Sequence, residues 1–138
     1  MVTGVQTCAL PIYYFELKTP DSFIDVSCRL KDENFRFALD TGASHTIIDL
    51  AALMIAGYDL QNAVRTVQLE TGNGSVEGYI FKVTAFTALG ITRHNMEICS
   101  YDFFGNNVFA EIHGVLGLDF FARKKFCIDL ERFELTIS

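Results

Sequence analysis

Basic residues are scarce in this chain: 11 Lys and Arg stand against 17 Asp and Glu, giving a net charge of -6 and a pI near 4.9. Phosphate binding needs clustered Lys and Arg, so nucleic acid is excluded as a partner. The one basic cluster, Arg123-Lys124-Lys125, reads as a solvated turn. Long apolar runs are missing as well. None reaches the roughly 18 residues that a membrane helix needs, so a membrane is excluded too. The four cysteines, Cys8, Cys28, Cys99 and Cys127, contain no C-x-x-C pair. Spacing that wide argues against zinc, and neither a metal nor a cofactor is called for. No low-complexity tract and no internal repeat interrupts the sequence.

What is present suits one compact domain: 138 residues, half of them hydrophobic, enough for a single core. Val2 to Ile12 read VTGVQTCALPI, which resembles the translation of a common short-read sequencing adapter. The stretch carries no charge and no clear period, and Pro11 stops it before the strand-like Tyr13-Tyr14-Phe15. It lacks the basic start and the long apolar middle of a signal peptide. Residues 1–12 are therefore taken as a non-native segment and 13–138 as the domain. On that reading Cys8 is irrelevant, and the native start, with any upstream strand, targeting signal or domain, is not in the sequence. Cys28, Cys99 and Cys127 lie in apolar strand candidates and read as buried free thiols. Such thiols, with no visible signal, point to the cytoplasm.

Strand signals dominate. Phe23 to Leu30 is rich in β-formers and partly alternating. Lys31 to Asn34 is a polar turn, and Phe35 to Leu39 returns as a second strand ending at Asp40. Thr46 to Ile48 is a short strand. Asp49 is placed to cap a brief helix from Leu50 to Ala56, ended by Gly57. Val64 to Glu70 and Val76 to Thr84 flank Thr71-Gly72-Asn73-Gly74-Ser75, where Asn-Gly is a strong hairpin signal. Ala85 to Leu89 and Ile91 to Tyr101 read as a further hairpin about Gly90, followed by a Gly105-Asn106-Asn107 loop. Gly114 to Gly117 is a tight apolar strand, and Leu118 to Arg123 offers one or two helical turns. Phe126 to Leu130 and Phe133 to Ile137 close the chain around Glu131-Arg132. The expected fold is mostly β, a closed barrel-like domain with one or two short helices.

Two places are unusual. Phe37-Ala38-Leu39 delivers the carboxylate of Asp40 into Thr41-Gly42-Ala43-Ser44, and Ile47-Ile48 follows at once. A carboxylate buried between apolar strands is costly unless it is hydrogen-bonded, paired or protonated. Far downstream stands Val115-Leu116-Gly117, a glycine after two large apolar residues. With the glycine-rich hairpin between them, these elements resemble the retropepsin-like aspartic proteases from about Phe23 to Ser138. Asp-Thr-Gly alone is a weak signal; the order, spacing and short chain make the combination specific. Ala43 matches the single-domain, retroviral-type pattern better than the pepsin pattern.

The resemblance implies a retropepsin fold and a role for each matched residue. Asp40 is the catalytic carboxylate, and Thr41 sits under it with its hydroxyl reaching a partner subunit. Gly42 lets a substrate backbone approach. Ala43 and Ser44 continue the substrate floor. Thr71, Gly72, Asn73, Gly74 and Ser75 form a flap over bound peptide. Val115, Leu116 and Gly117 complete the binding side, with Gly117 beneath the Asp40 loop. Peptide hydrolysis of this kind uses two carboxylates sharing one proton, since close like charges do not both ionise. The chain offers one such loop: Asp102, Asp119 and Asp129 are followed by Phe, Phe and Leu. A C2 homodimer, with Asp40 meeting its copy at the axis and a polypeptide as substrate, supplies the second carboxylate.

Bland readings stand beside these. Asp40 alone could be a turn aspartate bonding nearby amides. Phe35, Ile47, Ile80 and Val115 serve equally as pocket walls or as core. A serine-type pairing of Ser44 with His45 is disfavoured, because adjacent residues on a strand point to opposite faces. Asp119 is expected to cap the short helix, or else to bond toward Ser44 and His45. Two functions follow from different classes: a homodimeric aspartic endopeptidase, or a catalytically silent dimerisation or peptide-binding module of the same fold.

Overall fold

A computed structural model describes residues 11–72, 74–102 and 111–138. Ten strands make up most of it. β1 (Ile12–Tyr14) precedes a hairpin of β2 (Asp25–Leu30) and β3 (Glu33–Leu39). β4 (Ile47–Asp49) runs into helix α1 (Leu50–Ile55), and a 3-10 turn (Leu60–Asn62) leads to β5 (Arg65–Thr71). Then come β6 (Gly74–Ala88), β7 (Ile91–Tyr101) and β8 (Gly114–Leu116). A second 3-10 turn (Leu118–Phe121), β9 (Phe126–Asp129) and β10 (Glu134–Ile137) end the chain.

The strand order β2-β3-β8-β4-β7-β6, with β6 pairing back to β2 through Cys28–Ala88 and Leu30–Phe86, closes a barrel of six strands. Alternation explains the seating. In β2, Val26, Cys28 and Leu30 point inward while Asp25, Ser27 and Arg29 face out. Phe37, Phe81, Phe86 and Phe120 are fully buried, with Phe37–Phe86 and Phe86–Phe120 ring centroids 5.5 and 5.6 Å apart. Each such ring contributes about 1.5–3 kcal/mol of burial. β1, β10 and β9 form a separate three-stranded antiparallel sheet at the chain ends. Ile12, the last adapter-like residue, is its first rung, opposite Thr136.

The mostly-β barrel and the short helix agree with the sequence reading. Asp49 caps α1 by accepting from the Ala51 and Ala52 amides at 3.1 and 3.4 Å, and Gly57 follows at φ +97°. Two details differ. Val76–Thr84 and Ala85–Ala88 are one continuous strand, β6, because no turn residue separates them, and Leu89 already belongs to the turn; the two ends of β6 simply serve different neighbours. Thr71 pairs with Gly74, so Gly74 is already a strand residue and the turn falls before it, one residue earlier than Asn73-Gly74 predicts. Asn73, Cys8 and the Gly105-Asn106-Asn107 segment lie outside the described residues.

Cys28 and Cys99 are buried free thiols, as expected, but Cys127 is exposed. Phe126 and Ile128 take the inward positions of β9, which turns Cys127 out. Burial pushes the Cys28 thiol strongly upward, and that of Cys99 up to about 11. No helix among the described residues is long and apolar enough to cross a membrane.

Candidate active site

Three strands hold the Asp40 loop. β8 lies between β3, parallel to it through Ala38–Val115 and Leu39–Leu116, and β4, antiparallel through Ile47–Val115. The Asp40 amide extends this ladder by donating to the Leu116 carbonyl at 3.1 Å. The chain then turns. Asp40 Oδ1 accepts from the Gly42 amide at 2.8 Å, and the Asp40 carbonyl accepts from the Ala43 amide at 3.1 Å. A side chain at Gly42 would lie 3.1 Å from that carboxylate oxygen. One expectation needs correcting here. Asp40, Thr41 and Gly42 are exposed in the single chain, because the turn lifts the carboxylate off the end of β3.

The loop rests on Gly117. A Cβ there would lie 2.6 Å from both the His45 carbonyl carbon and its oxygen, and 2.9 Å from the Ala43 carbonyl oxygen. Its φ of -96° is ordinary, so space alone demands glycine. Around it the 3-10 turn stitches itself to the loop: Leu118 N donates to Ala43 O at 2.9 Å, and Asp119 N to Ser44 O at 3.3 Å. Thr46, fully buried, is the hub. Its amide donates to both Asp119 carboxylate oxygens at 2.9 and 3.0 Å, and its hydroxyl donates to Oδ1 at 2.7 Å. The same hydroxyl accepts from the Gly117 amide at 3.1 Å. Asp119 is therefore not the helix cap. It is a buried-side anchor that ties the turn to the start of β4. Thr46 escaped sequence reading because a threonine opening a short strand is commonplace; the Asp119 carboxylate beside Gly117 was the available hint.

Ser44 and His45 also depart from expectation. Their Oγ and Nδ1 atoms lie 2.8 Å apart. Both residues sit on the bend before β4, where strand alternation does not separate neighbours. Among the described residues no carboxylate bonds the imidazole, so the pair lacks the orienting third group of a serine-type triad.

Asp40 opens onto a cleft of about 610 Å³. Gly42, Ala43, Ser44, His45 and Ile47 continue its floor from Asp40. Val67, Gln68, Leu69 and Glu70 of β5 cover it, and Arg65, Ile80, Glu97 and Cys99 form the side wall. Register accounts for this wall: Arg65 pairs with Ile80, Ile80 with Cys99, and Cys99 with Ile47, so their side chains share one face. The sequence-derived residues thus divide. Asp40, Gly42, Ala43, Ser44, Ile47 and Ile80 meet at the cleft. Thr41 stands exposed next to it. Val115, Leu116 and Gly117 are buried behind the loop as its support, and Phe35 belongs to the core. Gly72, Gly74 and Ser75 lie at the far end of the β5–β6 arm, exposed, with Ser75 Oγ donating to Glu70 Oε1 at 2.7 Å. The covering residues are those of β5 before that tip, which the hairpin signal did not single out.

Two comparisons bear on this geometry. Residues 26–120 match the family model of aspartyl proteases, from β2 through the turn that carries Asp119. In fold the chain is similar to the crystal structure of a retropepsin-like aspartic protease from Rickettsia conorii, with a TM-score of 0.69 and 19% identity. That likeness covers 94% of this chain and 90% of the other. Among curated proteins no significant match is found.

Proposed function

The chain belongs to the aspartyl protease family, and from that premise we propose that it is an aspartic endopeptidase working as a homodimer. The observation that carries the reading is the exposed Asp40 carboxylate at the cleft floor, on a loop held by Gly117, Thr46 and Asp119. A dyad needs a second carboxylate. The cleft's others are engaged, Glu97 by Arg65 and Glu70 by Ser75. Asp40 of a second copy is the remaining candidate, and C2 symmetry brings identical loops together.

In the proposed reaction a water lies between the two carboxyl groups, which share one proton. The unprotonated carboxylate takes a proton from the water as its oxygen attacks the peptide carbonyl. The protonated partner, hydrogen-bonded to the carbonyl oxygen, transfers its proton to it, making it the second hydroxyl of the tetrahedral intermediate. On collapse one hydroxyl of the intermediate returns its proton to the dyad, the C–N bond breaks, and the nitrogen leaves with a proton from the dyad, so one shared proton remains. General acid–base catalysis of this type supplies about 10²–10⁴-fold. The Thr41 hydroxyl braces the paired loops. The substrate is a polypeptide lying extended under the β5 arm, its backbone held as an added strand and its side chains facing Ile47, Ile80 and Cys99.

The test is cleavage of an unbiased peptide mixture between pH 4 and 7, with Asp40→Asn as the control. The proposal requires peptide products from the wild type that Asp40→Asn and a pepstatin-like inhibitor both suppress. Identical product patterns from wild type and Asp40→Asn would leave the silent binding module as the reading.

A further inference from the structure

Among the described residues, the β5–β6 hairpin is supported over only part of its length. β6 pairs with β7 from Tyr79 onward, whereas Gly74 to Gly78 have β5 as their ladder partner. Toward the tip the hairpin is therefore a two-stranded arm, an element of marginal stability by itself. At the first fully supported rungs stands an ion pair. Arg65 on β5 and Glu97 on β7 flank the Ile80–Lys82 stretch of β6, on the face that lines the cleft. The contact is a two-pronged fork: Nη1 to Oε2 at 3.1 Å and Nη2 to Oε1 at 2.6 Å. It joins two strands that are not neighbours in the sheet. Farther toward the tip, Leu69 on β5 makes a second attachment. A Cβ on Gly78 would lie 2.8 Å from Leu69 Cδ1 and 3.0 Å from Cys99 Sγ, so Leu69 folds across the glycine toward the thiol.

We propose that Arg65 and Glu97 are a positioning pair, a clamp that fixes the base of the arm and so sets the height of the β5 cover above Asp40. In its link to turnover this rests on the endopeptidase reading; in its link to the arm it does not. A planar guanidinium–carboxylate fork sets direction as well as distance, which a single lysine contact would not. Hydrogen bonding from Arg65 holds the Glu97 carboxyl below its ordinary range, with the positive charges of Arg65 and Lys82 acting the same way. The clamp therefore stays charged in the mildly acid range where a proton-sharing dyad works. Both side chains are about half exposed, so salt weakens the fork.

Backbone amide exchange on the full chain tests the clamp directly. In Arg65→Gln and Glu97→Gln, amides of residues 67–70 and 75–78 should exchange about two- to five-fold faster, as loss of an exposed ion pair permits. Amides of β2 and β3 should keep their wild-type rates. The charge-swapped double variant Arg65→Glu/Glu97→Arg should regain protection. In the wild type, raising salt from low to about 0.5 M should bring the arm toward the single variants, which themselves should respond little. With a cleaved peptide in hand, the single variants should raise KM by a similar factor at nearly constant kcat, and the swap should restore it. Unchanged arm exchange in both single variants would overturn the clamp, as would faster exchange spread evenly over the barrel. Failure of the swap to restore protection would also overturn it, leaving two separate side-chain effects. Because exchange needs no substrate, an inactive protein would sink the endopeptidase reading and leave the clamp standing.

Discussion

Gly117→Ala puts the architecture of the site at risk with a single methyl group. The new Cβ would meet backbone atoms of the loop that carries Asp40: His45 carbonyl carbon and oxygen at 2.6 Å and Ala43 oxygen at 2.9 Å. Ordinary contact begins near 3.4 Å, so loop and turn must separate by about 0.8 Å. None of the obstructing atoms is the tip of a flexible side chain. Separation also stretches the Leu118–Ala43, Asp119–Ser44 and Gly117–Thr46 hydrogen bonds, which share that seam. Overpacking costs about 1–3 kcal/mol, and weakened bonds add about 1 kcal/mol. Together the loss is roughly 2–4 kcal/mol, a fall in Tm of roughly 10 °C for a chain this size. Displacing a catalytic carboxylate by nearly an ångström costs about 10²-fold in rate. Calorimetry paired with a peptide-cleavage assay reads both numbers. A Gly117→Ala protein melting within about 2 °C of wild type and retaining half its activity would refute the claim that the loop rests on this glycine.

Three further outcomes follow from the same contacts. Thr46→Val keeps the shape but strips the hydroxyl, leaving the Asp119 carboxylate and the Gly117 amide short of a partner; urea unfolding should show a loss of about 2–3 kcal/mol. His113 Nδ1 accepts from the Arg36 amide at 3.0 Å, beside the β3–β8 junction; His113→Ala should cost about 1–2 kcal/mol in the same experiment, and a neutral result would mean that water replaces the imidazole. With iodoacetamide near pH 8, peptide mapping should find Cys127 alkylated in the native protein. Cys28 and Cys99, whose thiols burial pushes upward, should react only after unfolding.

Local pattern made the barrel legible. Alternation in β2, the Asp49 cap and the hairpin about Gly90 each read correctly because one short stretch decides each of them. The Asp-Thr-Gly loop and the apolar-Gly element were legible as a pair. Their relation was not: Gly117 backs the loop, and Val115 and Leu116 face the core, because β8 threads between β3 and β4. No local signal states that a strand far downstream will do so. The Thr46–Asp119 anchor joins residues 73 positions apart and depends on the same threading. Ser44 and His45 misled through periodicity, since alternation was applied to a bend. The exposure of Asp40 was hidden as well, because apolar neighbours in sequence lie on strands that end below it.

The most direct measurement mixes subunits. Wild-type chain and Asp40→Asn chain are allowed to exchange to equilibrium at fixed total concentration, and peptide cleavage is followed as the wild-type fraction changes. If each active unit takes one Asp40 from each of two chains, the rate falls as the square of that fraction, to about one quarter of the full value in an equal mixture. A linear fall, to about one half, would mean that one chain carries a complete site and would contradict the account.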